Sequence, residues 1–200
     1  MLIGIDFDNT VVSYNTLFYK VAVEQALVPA DLPKSKLAVR DYLRKIDNES
    51  AWTELQGYVY GTKMGDATAY PLVIDFIKFA RTKSISIAIV SHKTKHPFAG
   101  PKYDLHEAAR SWIANTLIDG VTNLIEPDNV FFELTKEEKI TRIANIGCDY
   151  FIDDLPEILR MPGYPQNLKR ILFDPEGIYN TDRLYTKLGS WRDISAFFNL

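Results

Sequence analysis

A single cysteine, Cys148, occurs in the 200 residues. No internal disulfide is available, and an apolar run around it reads as a core strand in a reducing compartment. Histidine is scarce as well, with three in all. His92 and His96 are spaced to share a zinc ion, but Pro97 follows them and no matching cysteine or carboxylate pattern lies nearby. No apolar run approaches the roughly 18 residues of a membrane span. The opening MLIGIDFDNT places Asp6 and Asp8 too early for a signal peptide. These absences point to a cytoplasmic protein with no membrane partner. Blocks of one charge are missing too: 23 basic and 26 acidic residues intermix to a net charge of −3. No field of one sign draws the chain to nucleic acid or anionic lipid, which leaves small molecules as the favoured partners. There is no repeat and no low-complexity tract. Without a Walker phosphate loop or a dinucleotide glycine fingerprint, ATPase and dehydrogenase readings lack their motif.

What the sequence does hold is an alternation of two periods. Short apolar, β-branched runs at 2–7, 85–90, 130–132, 148–152 and 170–173 read as buried parallel strands. Between them lie helical patterns, with Leu72, Val73, Phe76, Ile77 and Ala80 on one face and Leu105, Ala108, Ala109, Trp112 and Ile113 on another. Thr135 followed by Glu138 has the spacing of a capping box at a further helix start. Strand and helix in alternation predict an α/β fold, a doubly wound parallel sheet. Residues 15–70 break the rhythm with three helical patterns and no convincing strand. They read as a small helical cap inserted into a core made of 1–14 and 71–200.

In such a sheet, ligands bind beyond the carboxyl ends of the strands. The first strand ends in Asp6 and Asp8, which a period of two turns the same way. Two close carboxylates repel, and a divalent cation is the usual means of holding them together at neutral pH. A second strand ends at Ser91, and a third in Asp153 and Asp154. The helix after Thr135 offers Lys139, with Lys136 one turn earlier as an alternative. Asp154 also suits a helix N-cap before Leu155 and Pro156. The basic segment after Ser91 reads either as a solvated loop or as an anion-reading one, with His92, Lys93 and Lys95 binding substrate beside Ser91.

DFDNT at 6–10, IVSHKT at 89–94, Lys139 and FIDD at 151–154 together resemble, in order, the four motifs of the haloacid dehalogenase superfamily. The resemblance covers residues 1–14 and 71 to about 175, and the 14-residue step from Lys139 to Asp153 is similar to that of its nucleotidase-like members. It implies a phosphomonoester hydrolase acting on a small phosphorylated metabolite through an aspartyl phosphate. Asp6 would be the nucleophile and Asp8 the general acid and base, with Ser91 and Lys139 on the phosphoryl oxygens. Mg2+ would be held by Asp6, the backbone carbonyl of Asp8 and Asp153, with Asp154 as a further candidate. The family's dehalogenases lack the second aspartate, because a halide leaves without a proton. Phosphomutase-type transfer and a noncatalytic module of the same fold are the alternatives.

Overall fold

The computed structural model describes all 200 residues and divides the chain into two compact units. The first comprises Met1–Val12, Ala69–Lys93 and Thr116–Leu200, and the second Ser13–Thr68 and Thr94–Asn115.

In the first unit, β1 (Leu2–Ile5), β4 (Ser86–His92), β7 (Val130–Glu133), β8 (Tyr150–Asp153), β9 (Lys169–Phe173) and β10 (Thr186–Leu188) form one sheet. Its order is β10-β9-β8-β1-β4-β7, with every pair parallel. Two-residue strands complete the inventory: β2 (Val12–Ser13) pairs with β3 (Thr68–Ala69), and β5 (Ile118–Asp119) with β6 (Thr122–Asn123). From β1 the chain moves outward through β4 to β7, then returns to β8 and continues to β10. The direction of winding therefore reverses between β1 and β8, the place where doubly wound sheets open a crevice. The ends of β1 and β8 carry Asp6 and Asp153.

The central strands are buried because both sheet faces are covered, which is why β4 reads as an unbroken apolar run from Ile87 to Val90. Gly4 is required in β1: a Cβ there would lie 2.7 Å from the Phe151 ring and 2.8 Å from Cys148 Sγ. Helices α4 (Val73–Thr82), α6 (Lys136–Asn145), α7 (Pro156–Leu159) and α8 (Trp191–Phe198) complete the unit. Leu72, assigned to the face of α4, instead precedes the helix at φ 68° and is partly exposed. Thr135 and Glu138 do form the capping box that starts α6.

Helix α8 reaches the turn after Asp6 through packing that no local sequence pattern marks. Ser190 caps it, accepting from Asp193 N at 3.1 Å, and its Trp191 is 1% exposed. The indole packs against Phe76 and Phe173, and its Nε1 donates to Thr10 O at 3.0 Å. The turn following Asp6 is thereby tied to the C-terminal helix.

The second unit is helical, built from α1 (Asn15–Glu24), α2 (Lys36–Lys45), α3 (Glu49–Tyr60) and most of α5 (Leu105–Thr116). Phe18, Trp52 and Tyr60 form its aromatic centre, with Phe18 5.2 Å from Trp52 and 5.5 Å from Tyr60. Its membership differs from the 15–70 insertion read in the sequence, because residues 94–115 join it. Two glycines allow that approach: a Cβ on Gly57 would lie 2.7 Å from Pro97, and one on Gly61 2.6 Å from Tyr103. Trp112 Nε1 completes the attachment by donating to Ala67 O at 2.9 Å. No helix is long and apolar enough to cross a membrane.

Two buried side-chain polar atoms in the first unit, Thr10 Oγ1 and the Tyr164 hydroxyl, are without a partner. Tyr164 lies beside Phe151, with the Arg170 guanidinium 4.4 Å from its ring centre, yet its hydroxyl makes no hydrogen bond. Burial holds that hydroxyl's pKa well above the usual phenol range. Tyr164→Phe should therefore stabilise the protein, by about 1 kcal/mol or a rise of roughly 2–4 °C in Tm. Thermal denaturation checks this, and a lower Tm would show that the hydroxyl has a stabilising role.

Candidate active site

Backbone geometry at the end of β1 sets the site. Asp6 N still donates to Ile152 O at 2.8 Å, so the ladder continues one residue past the strand. The chain then turns, with Val11 and Val12 both donating to Phe7 O at 3.1 Å and Asn9 at φ 58°. Asparagine is among the few side chains that enter the left-handed region readily.

Asp6 is 5% exposed, Lys139 2% and Asp153 0%. Lys139 Nζ donates to Asp6 Oδ1 and to Asp153 Oδ2, both at 2.6 Å, and Ser91 Oγ donates to Asp6 Oδ1 at 2.8 Å. Asp153 Oδ1 is also occupied, accepting from Leu155 N at 2.9 Å. Of the two candidate lysines, Lys139 is the one placed beside Asp6 and Asp153. Lys136 instead pairs with Glu157 at the surface, 2.7 Å away. The distinction follows from helical phase, since Lys139 lies on the buried side of α6 with Ile140 and Ile143.

The electrostatics show what the cluster lacks. Burial pushes the Asp6 carboxyl up to about 7; Lys139 pulls it down, while Asp153 and Asp8 add to the rise. Burial works against the charge of Lys139 too, but Asp153 and Asp6 outweigh it and hold the ammonium above its usual range. One ammonium is therefore insufficient for the carboxylates around it. Asp6, Asp153 and Asp154 each offer an oxygen within 4.8 Å of the others. An oxygen-only donor set, buried at Asp6 and Asp153 and half-buried at Asp154, with excess negative charge fits a hard divalent cation such as Mg2+. Asp154 belongs to this group and is not a helix cap: α7 has Leu155 at its N-cap position and no side-chain capping bond. The Asp8 carboxylate is not part of this three-carboxylate group, and the expectation for Asp8 concerns its backbone carbonyl.

The basic segment is neither purely solvated nor uniformly at the site. Lys93 is 5% exposed, and its Nζ donates to both Asp8 oxygens, at 2.7 and 3.0 Å. His92 Nε2 lies 3.1 Å from Leu134 O, which as a carbonyl can only accept, so Nε2 carries the proton. Burial is the main reason its pKa falls below the ordinary histidine value. In the second unit, Lys95 pairs with Asp104 at 3.7 Å, and His96 Nδ1 lies 3.0 Å from Tyr103 O. The two histidines that could have shared zinc therefore make separate backbone contacts. Sequence reasoning named Lys93 but missed its partner. Its usable signal was spacing, because Lys93 follows Ser91 by two residues as Asp8 follows Asp6.

No family model and no curated protein matches the chain. Solved structures do. A haloacid dehalogenase family hydrolase from Deinococcus radiodurans R1, with bound phosphate and sodium, aligns over 98% of this chain and 94% of its own at TM-score 0.55 and 14% identity. A predicted phosphoglycolate phosphatase from Haemophilus somnus 129PT aligns over 98% and 97% at TM-score 0.57 and 13% identity. An L-2-haloacid dehalogenase aligns over 100% and 98% at TM-score 0.57 and 10% identity. The chain therefore has the fold of the haloacid dehalogenase superfamily, which is shared by phosphatases and dehalogenases.

Proposed function

We propose that this protein is a Mg2+-dependent phosphomonoester hydrolase that uses Asp6 as a covalent nucleophile. The observation carrying the proposal is the buried Asp6–Lys139–Asp153 cluster at the sheet's switch point, with Asp8 two residues on. Ser91 and Lys139 both bond to Asp6 Oδ1. Oδ2 is then the oxygen whose lone pairs can attack phosphorus, in line with the departing alkoxide. Asp8 supplies the proton that the alkoxide requires, then takes one from the water that cleaves the aspartyl phosphate. Asp6, Asp153 and Asp154 would hold Mg2+, whose charge offsets that of the phosphoryl group and the carboxylates. Lys139 and Ser91 orient Asp6, and the third N–H of Lys139 is the donor left for a phosphoryl oxygen, since the single O–H of Ser91 is given to Asp6.

Asp8 also favours phosphatase over dehalogenase chemistry, since a departing halide has no use for an acid. The substrate class is a small phosphorylated metabolite in the cytoplasm. The test is a panel of phosphometabolites assayed for inorganic phosphate with and without Mg2+. Mg2+-dependent release from at least one small ester supports the reading. Halide release from a 2-haloacid, with none of the esters cleaved, would replace phosphatase by dehalogenase. Transfer of the phosphoryl group to a sugar without phosphate release would indicate a mutase.

A further inference from the structure

We propose that Lys93 is a positioning residue for Asp8, fixing the carboxylate that handles the leaving-group proton, and that it does not read a substrate anion. The inference rests on the phosphatase reading above and adds a residue to it.

The geometry is a repeat. Ser91 bonds Asp6 and Lys93 bonds Asp8, both across a separation of 85 residues in the chain. β1 and β4 run parallel, with Ile5 paired to Ile89, so the ends of the two strands bring residues 6–8 beside residues 91–93. The nucleophile and the acid are therefore each held by a side chain from the end of β4. Lys93 is itself fixed, because its N donates to Glu133 O at 2.9 Å. Glu133 in turn accepts from Arg142 Nε at 2.6 Å.

Three observations argue for positioning over substrate binding. Both Asp8 oxygens lie within hydrogen-bond range of one ammonium, which fixes a terminal torsion that is otherwise broad. The Lys93 side chain is 4% exposed whereas that of Asp8 is 21%, so the lysine lies behind the carboxylate and the acid faces outward. His92 and Lys95 also have protein partners, at Leu134 O and Asp104. His92 and Lys93 are thus engaged within the protein, whereas Lys95 remains largely exposed.

Lys93→Met keeps the length and apolar stem of the side chain and removes its charge, while Lys93→Arg keeps a cation with more than one donor. Each is assayed for the first step alone, as the single-turnover rate of leaving-group release, on an alkyl phosphate, whose alkoxide needs the proton, and on p-nitrophenyl phosphate, whose phenolate leaves largely unaided, because the later hydrolysis of the aspartyl phosphate needs Asp8 whichever ester was used. Lys93→Met is expected to lower that first-step rate on the alkyl ester by about 100-fold, the scale on which a displaced catalytic group acts. KM should change less than about threefold, the aryl ester should lose less than about tenfold, and Lys93→Arg should recover part of the alkyl rate. In an Asp8→Asn background, Lys93→Met should cost little more on the aryl ester, because a residue acting through Asp8 has nothing left to position.

A rise in KM with kcat retained would overturn the proposal in favour of anion binding. Equal losses on both esters would also overturn it, indicating general structural damage. Should Lys93→Met not fold, Lys93→Arg and the stability of both Asp8→Asn and wild type remain decisive. Full alkyl activity in Asp8→Asn would remove the group that Lys93 is held to position. If wild type cleaves neither ester, the phosphatase reading fails together with the inference. An active wild type with an indifferent Lys93→Met rejects the inference alone.

Discussion

Asp6→Asn should lower phosphate release by at least about four orders of magnitude while leaving the fold in place. The amide preserves the shape of the side chain and can still accept from Ser91 Oγ and Lys139 Nζ, now at 2.8 and 2.6 Å from Oδ1. What it loses is the nucleophilic oxygen and one anionic ligand for the cation. Stability should suffer little, because the site already disfavours the charge: burial, with Asp153 and Asp8 adding to it, pushes the carboxyl up to about 7 against the pull of Lys139. A neutral isostere relieves that cost even as it weakens the bond to Lys139. Turnover near that of wild type, in a variant with an unchanged circular dichroism spectrum, would remove Asp6 from the nucleophile's role.

The second large effect concerns the cation. Excess chelator should abolish turnover and added Mg2+ restore it. Binding should also appear without any substrate, since Mg2+ at 100 times its Kd stabilises the folded state by about 2.7 kcal/mol. Asp154→Asn should raise the Mg2+ concentration needed for that gain by at least the roughly 10–100-fold that even an outer-shell change costs. The pH dependence has a definite sign in chelator. The folded Asp6 carboxyl titrates near 7 against an ordinary value of 3.8, so the folded state binds its proton more tightly than the unfolded state does. This contribution to stability is complete below about 3.8 and is lost as pH rises through about 7. Saturating Mg2+ should oppose the loss, because it favours the ionised carboxylate. Thermal denaturation across that range, with and without Mg2+, measures both. No thermal response to Mg2+ at any pH would contradict the assigned metal site.

The parts of this arrangement that were legible in the sequence are those governed by local pattern. The apolar runs locate five strands of the main sheet because buried parallel strands carry little polar interruption. The acidic pairs stand where those runs end. Lys139 could be preferred to Lys136 but not separated from it by period alone, and it is the buried face of α6 that separates them. Other features depend on long-range packing. Residues 94–115 join the second unit through the close approaches of Pro97 to Gly57 and Tyr103 to Gly61, some 40 residues apart, which no periodicity encodes. β10 is three residues long and only partly buried, too short to leave a pattern. Trp191 reads as an ordinary core aromatic until its indole is found on Thr10 O. Lys93 reads as one cation in a basic loop until its ammonium is found buried on Asp8.

The central claim is that the phosphoryl group passes through Asp6, and it is tested most directly by trapping that species. A phosphate ester shown to be a substrate, labelled in its phosphoryl group, would be mixed with the enzyme and Mg2+ and quenched in acid during turnover, and the protein then digested and mapped. The account predicts label on the peptide containing Asp6, released by hydroxylamine as an acyl phosphate must be, and absent from Asp6→Asn. Turnover with no labelled protein under any quench time, or label that persists in Asp6→Asn, would contradict it.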